Sequence, residues 1–207
     1  FRRVLFRSVD VLNTAIQFFG DYVKEVFRAP YEAGTLTWFG IHFRPDGLGM
    51  VAFLAMLGLL LSLLAFVFGL ALGRYTDRHP LAVMKVSGIG LGIGLMGGAL
   101  FGGGNTELFT LSLVGFGALG LAGIWTAGRK LLMELAPADQ LGEYFGLYGI
   151  TVKISVIGST AYGVIATCFG PQSALSTQGI PLLAGLFFLW RVRLPKADQP
   201  RTMSAPA

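Results

Sequence analysis

Charge is what this sequence has least of: only 13% of its 207 residues are Asp, Glu, Lys or Arg, about half the share of an ordinary soluble domain. It has one cysteine, Cys168, which excludes an internal disulfide and reads as a small apolar residue. It has two histidines, His42 and His79, both in polar stretches, and no HExxH or GxSxG pattern. The residues that a zinc hydrolase or a serine hydrolase needs are therefore missing, and no metal or cofactor is expected. A membrane-embedded enzyme is the reading these absences weaken most.

What is present is apolar and arrives in blocks. Hydrophobic residues make up 54% of the chain and the mean hydropathy is +0.66. Charges are confined to short clusters between the blocks, as they are when a bilayer is the solvent. The first residues are read apart. Phe1-Arg2-Arg3-Val4-Leu5-Phe6-Arg7-Ser8 matches a translated sequencing adapter and is excluded as an artefact. Without it the formal charge falls from +5 to +2, since three of the sixteen basic residues lie there. The basic balance then gives no reason to expect a nucleic-acid partner, and a portion upstream of the chain is expected to be missing.

Six hydrophobic segments follow: Asp10–Phe27, Gly49–Leu72, Ala82–Phe101, Leu108–Ala127, Leu147–Phe169 and Ala174–Trp190. A hydrocarbon core about 30 Å thick takes roughly 20 helical residues to cross. The expected fold is thus an all-α membrane bundle of six spans over residues 9–192. The last span is short, and Pro181 is expected to kink it. Residues Arg28–Leu48 read as a loop punctuated by Pro30, Gly34, Gly40, Pro45 and Gly47, and residues 193–207 as a disordered tail. One membrane side receives Arg74, Arg78, Lys85, Arg129, Lys130, Arg191, Arg193, Lys196 and Arg201; the other receives Lys24, Arg28 and Arg44. The positive-inside rule then makes the C-terminus cytoplasmic, with Asp77, Glu143 and Arg193 at one face.

Glycine is abundant inside the spans. Gly90, Gly94 and Gly98 recur every four residues, as do Gly88 and Gly92, giving faces on which helix backbones can approach. Gly92–Gly97 and Gly115–Gly120 both match GxGxxG, but they lie within spans rather than at a strand-to-helix turn. Helix packing is the better reading.

The polar residues inside the spans carry the functional expectation. Asp10, Thr14, Gln17 and Asp21 are spaced four, three and four along the first span, with Asn13 beside them, so they share one helical face. A carboxylate in hydrocarbon costs roughly 2.5 to 3.5 kcal/mol, so this stripe faces water, a partner helix or a solute. The other readings are that the segment starts outside the bilayer, or that Asp21 marks its outer end. Lys153 either snorkels to the interface or serves as a charge partner in a gate or ion-coupling site. Trp125 reads as an interface anchor ahead of a stacking platform. Tyr148, Ser155, Ser159 and Tyr162 form a weakly polar face suited equally to helix-to-helix hydrogen bonds.

Between the second and third spans stands Gly73-Arg74-Tyr75-Thr76-Asp77-Arg78-His79-Pro80. A glycine followed four residues later by Asp-Arg resembles the loop signature of the major facilitator superfamily. In that family the glycine permits a tight turn and the Asp-Arg pair helps latch one closed state; here His79-Pro80 replaces the usual following glycine. Arg129, Pro137, Glu143, Tyr144–Tyr148 and Lys153 keep the spacing of a motif similar to that of vacuole-effluxer-like permeases, related to fungal vacuolar amino-acid exporters. Asp10 four residues before Thr14 is similar too.

The resemblance implies the second six-helix half of a twelve-helix secondary carrier. It implies alternating access for a small solute, with amino-acid efflux as the suggested activity, and a bacterial inner membrane as the setting. The implied partners are the bilayer, the solute, a coupling ion and the missing N-terminal half. Cavity residues would be Asp10, Asn13, Thr14, Gln17, Asp21 and Lys153; gating residues would be Gly73, Asp77, Arg78, Arg129 and Glu143. A non-transporting membrane scaffold or assembly subunit is the alternative, and it has no need of the polar stripe.

Overall fold

The computed structural model describes Thr14, Ile16 and residues 18–191, with backbone alone for Ala138 and residues 151–157. The adapter-like segment, Asp10, Asn13, Gln17, Arg193 and the expected tail lie outside the described residues.

The chain is helical almost throughout. Helix α1 covers 18–26, with Thr14 and Ile16 also helical. A short α2 (Arg28–Glu32) leads to a two-stranded hairpin, β1 (Thr37–Trp38) and β2 (Ile41–His42). Four long helices follow: α3 (Leu48–Arg78), α4 (Pro80–Phe101), α5 (Thr106–Leu135) and α6 (Leu141–Phe169). The last, α7 (Pro171–Arg191), is broken into Pro171–Thr177 and Gly179–Arg191. Among the described residues α3, α4, α5 and α7 are long and apolar enough to cross a membrane. Helix α6, at 29 residues, exceeds the roughly 20 a bilayer requires.

The helices outrun the apolar runs. Helix α3 continues from Leu72 through Gly73-Arg74-Tyr75-Thr76-Asp77-Arg78, and only His79 separates it from α4. The expectation of a loop with a glycine turn there is corrected: Gly73 lies inside the helix with open space around its Cα. An apolar run measures the lipid crossing, whereas the backbone ladder continues into water once the side chains turn polar. Pro181 does not kink a continuous helix either. It falls in the first turn of Gly179–Arg191, where a missing N–H breaks no bond.

The stretch Arg28–Leu48 is also more than a loop. Thr37 pairs with His42 and Trp38 with Ile41 across the two-residue turn Phe39-Gly40. Both turn residues have positive φ, 46° and 80°, the combination that suits a tight hairpin's twist.

The core is built on α4. Gly94 faces α5 so closely that an added Cβ would lie 3.0 Å from the backbone nitrogen of Gly117 and 3.1 Å from the carbonyl of Ser112. Gly90 and Gly98 also face α5, against Leu119 and Leu113, while Gly88 and Gly92 face α7, against Leu186 and Leu182. The two glycine rows therefore serve two different partners. From α5, Gly120 seats Leu91 of α4 in return, and Gly123 seats Ser87. Close backbone approach of this kind replaces apolar burial as the adhesive between helices in lipid.

Candidate functional site

Helix α1 lies along α6. The Thr14 and Ser159 hydroxyls are 3.3 Å apart, and the rings of Phe18 and Tyr162 stack with centroids 4.7 Å apart. Thr14 is fully buried, so within this chain its hydroxyl is committed to the α1–α6 seam rather than to open space. Tyr22 donates its hydroxyl to the carbonyl of Gly98 at 2.8 Å, which fixes α1 in depth against the far end of α4. Asp21, one residue earlier, is exposed and has no ion-pair partner among the described residues.

Beside this seam the surface is concave. A depression of about 630 Å³ is lined by Phe18, Asp21, Tyr22 and Lys24 from α1 and by Tyr162 and Thr167 from α6. A second, of about 570 Å³, continues along α6 past Ser159, Thr160, Gly163 and Cys168. Together they place a carboxylate, an ammonium, a phenol and several hydroxyls along one side of an otherwise apolar bundle. Such a lining can hydrate or hydrogen-bond a polar solute. A smaller hollow differs: about 50 Å³ in volume, it is lined mainly by apolar side chains such as Leu61, Leu91, Leu95, Leu113 and Leu121, together with Tyr22 and Tyr162.

The gating candidates gather at the opposite end, where α3 ends, α4 begins and α5 ends. Asp77 is in the last turn of α3, and its Oδ1 lies 4.0 Å from Nζ of Lys130; the same ammonium is 3.9 Å from Glu134. Arg129, the neighbouring gating candidate, is stacked over Trp125, its guanidinium carbon 5.7 Å from the ring centroid. Trp125 thus holds a cation as well as standing at a helix end. Consecutive helical positions point about 100° apart, which is why only one of Arg129 and Lys130 reaches α3. Arg78 ends α3, and Glu143 is exposed in the first turn of α6, where a carboxylate suits the helix N-terminus. Lys153 lies on α6, in the segment described by backbone alone.

Two features escaped the sequence reading. Residues Thr110–Phe116 of α5 wind as a π-helix, a form that recurs at functional sites. Trp38 of the hairpin donates its indole N–H to the Thr110 hydroxyl at 2.9 Å. The one available signal was Thr106 and Thr110, four apart at the start of an apolar span.

Comparison with known proteins agrees with this architecture. No curated protein sequence matched the chain significantly. Among solved structures, the xylose transporter XylE from E. coli, in its inward-open conformation, superposes with a TM-score of 0.65 at 18% identity. The superposition covers 93% of this chain and 47% of the transporter, so the chain spans about half that protein's length. At that identity the likeness speaks for the fold alone. The sequence profile described as Major Facilitator Superfamily matches residues 25–206. The chain is therefore an integral membrane protein that belongs to the major facilitator superfamily, a family of carriers and not of enzymes.

Proposed function

We propose that this chain forms one half of a secondary carrier that moves a small polar solute by alternating access, with the α1–α6 seam as one wall of the solute path. The observation that supports this most is the polar lining of that seam, Asp21, Tyr162, Thr160 and Thr167, on a bundle that elsewhere exposes many large apolar side chains, Leu, Ile, Val and Phe among them. Carboxylates near hydrocarbon are costly and are kept where they act on a solute or ion. In carriers built from two repeats the solute site lies near the midplane between them. Asp10, Asn13 and Gln17 would extend the lining of Asp21 inward, and Lys153 would approach it from α6. Thr14 would support that wall from behind through Ser159.

The finer reading follows the resemblance stated above. The carrier would sit in the vacuole-effluxer-like branch, export amino acids, reside in a bacterial inner membrane and keep its C-terminus cytoplasmic. A zwitterionic solute suits a wall that offers both Asp21 and Lys24. Asp77, Arg78, Arg129 and Glu143 would then lie at the cytoplasmic mouth, with Lys130 added as the partner of Asp77.

The experiment is transport of radiolabelled amino acids by the full-length protein in vesicles, with Asp21→Asn as the variant. The expected outcome is loss of most transport at unchanged insertion and abundance. Full transport by Asp21→Asn would remove the seam from the solute path.

A further inference from the structure

The hairpin between α2 and α3 does not lie loosely on the surface. Trp38 and Phe43 both pack their rings on Phe53 of α3, at centroid distances of 6.3 Å and 5.2 Å. Phe53 meets Phe27 at 5.5 Å, and Phe27 meets Phe109 of α5 at 4.9 Å. Phe27, Phe53 and Phe109 are fully buried. An aromatic chain thus runs from the hairpin across α3 to the first turn of α5.

At the end of that chain is a directional bond. Thr110 donates its hydroxyl to the carbonyl of Thr106 at 2.7 Å and accepts the indole N–H of Trp38 at 2.9 Å. Both capacities of the hydroxyl are used, so its orientation is fixed from both sides. Thr110 is also the first residue of the π-helical turn, Thr110–Phe116.

That turn is held asymmetrically. On one face Ser112 and Gly117 press on Gly94 and Gly97 of α4, where there is no room for even a methyl group. Leu113, Gly117 and Leu121 also border the hollow of about 50 Å³, which Leu91 and Leu95 of α4 line as well, and Leu113 packs against Gly98. A π turn carries one residue more per hydrogen-bonded ring than an α turn, so tightening it rotates whatever lies beyond it. Here that is the rest of α5, with Arg129 and Lys130 at its far end. The hollow leaves space beside the turn for such a rotation, and the bond from Trp38 opposes it.

We propose that Trp38 is a positioning residue for transport: its bond to Thr110 straps the π turn of α5 in place, and releasing it frees the end of α5 that carries Lys130. This rests on the carrier reading above, but it is tested by a measurement that does not need transport. The full-length protein is placed in phosphatidylcholine nanodiscs and amide hydrogen exchange is followed in the peptide covering residues 109–121.

Trp38→Phe keeps the ring packing and removes only the donor; Thr110→Val removes the acceptor; Thr110→Ser keeps it. The first two should each raise exchange in that peptide about 2- to 10-fold, the range that one hydrogen bond's net contribution allows. The double variant should add little to either single one, Thr110→Ser should exchange like the wild type, and α4 peptides should be unchanged. Unaltered exchange in Trp38→Phe, or additive effects in the double variant, would overturn the strap. Amino-acid transport by the wild type is scored separately. Active transport with unaltered exchange overturns the strap and leaves the carrier; the expected exchange pattern in a wild type that moves no solute overturns the carrier and leaves the strap.

Discussion

The two ends of this bundle are held by different physics. At the end where α1, the hairpin and α5 meet, the contacts are buried rings and short directional hydrogen bonds: Tyr22 to Gly98, Gln172 to the carbonyl of Gly102 at 2.7 Å, and Trp38 to Thr110. At the other end apolar packing continues, with Leu72 of α3 against Gly123 of α5 and with Ala127 and Leu131 buried, but the charged link between α3 and α5 is the pair Asp77–Lys130 at 4.0 Å, with the Asp77 side chain 77% exposed. Exposed ion pairs of that kind contribute about 0–1 kcal/mol and are screened by salt. Buried aromatic packing is insensitive to salt and several times stronger. The ion pair can therefore be broken at little cost while the apolar packing beneath it remains, and in the carrier reading proposed above that makes it a contact suited to a gate.

The largest expected effect is at the durable end. Phe53→Ala empties the position on which Trp38, Phe43 and Phe27 converge. It should destabilise the bundle by about 3 kcal/mol, read as a lowered midpoint in detergent-resistant thermal unfolding. A variant as stable as the wild type would remove the contrast between the ends. Next comes the hairpin tip, where Phe39 is 65% exposed with φ of 46°. A side chain in that left-handed region costs about 1 kcal/mol, so Phe39→Gly should raise the same midpoint slightly; a fall would mean that the ring's edge contact with Trp38, at 5.4 Å, outweighs the strain.

Smaller still is Thr14→Val, which deletes the bond to Ser159 within the membrane. Hydrogen bonds between membrane helices average about 0.6 kcal/mol, and that is the loss expected. A loss several times larger would make Thr14 a keystone of the α1–α6 seam. The least effect on stability belongs to Asp77→Asn, at most a few tenths of a kcal/mol and vanishing in high salt. A large, salt-independent loss would mean the ion pair is structural after all.

How much of this was legible in the sequence varies with the kind of signal. Long apolar runs located α3, α4 and α5, and bounded α4 to within two residues, because lipid solvation acts on each span by itself. The glycine rows of α4 could be read as packing faces, and the structure divides them between α5 and α7. The C-terminal end of α3 could not be read, since Asp77 and Arg78 are as compatible with a helix's last turn as with a loop. Nor could the partner of Asp77: choosing between Arg129 and Lys130 needs the rotation of α5, which packing sets and which the π turn at Thr110–Phe116 shifts. The hairpin was hidden because Trp38 and Phe43 find their partners Phe53 and Thr110 only through tertiary contacts. Of the cavity stripe, Thr14 and Asp21 are described, and they differ: one is buried in a seam, the other open to a groove.

The carrier reading proposed above makes the Asp77 end and the polar groove two mouths of one path that open in turn. It is tested most directly by placing a single cysteine at Thr167, in a Cys168→Ala background, in the full-length protein reconstituted in vesicles. Labelling by a membrane-impermeant maleimide is followed from the side of the hairpin, with and without Asp77→Asn. In that reading, breaking the ion pair loosens the far end and favours the state closed at the groove. The account therefore predicts labelling of Thr167→Cys about 2- to 5-fold slower in the Asp77→Asn protein, in keeping with a pair of this strength. An unchanged labelling rate would contradict alternating access through this seam.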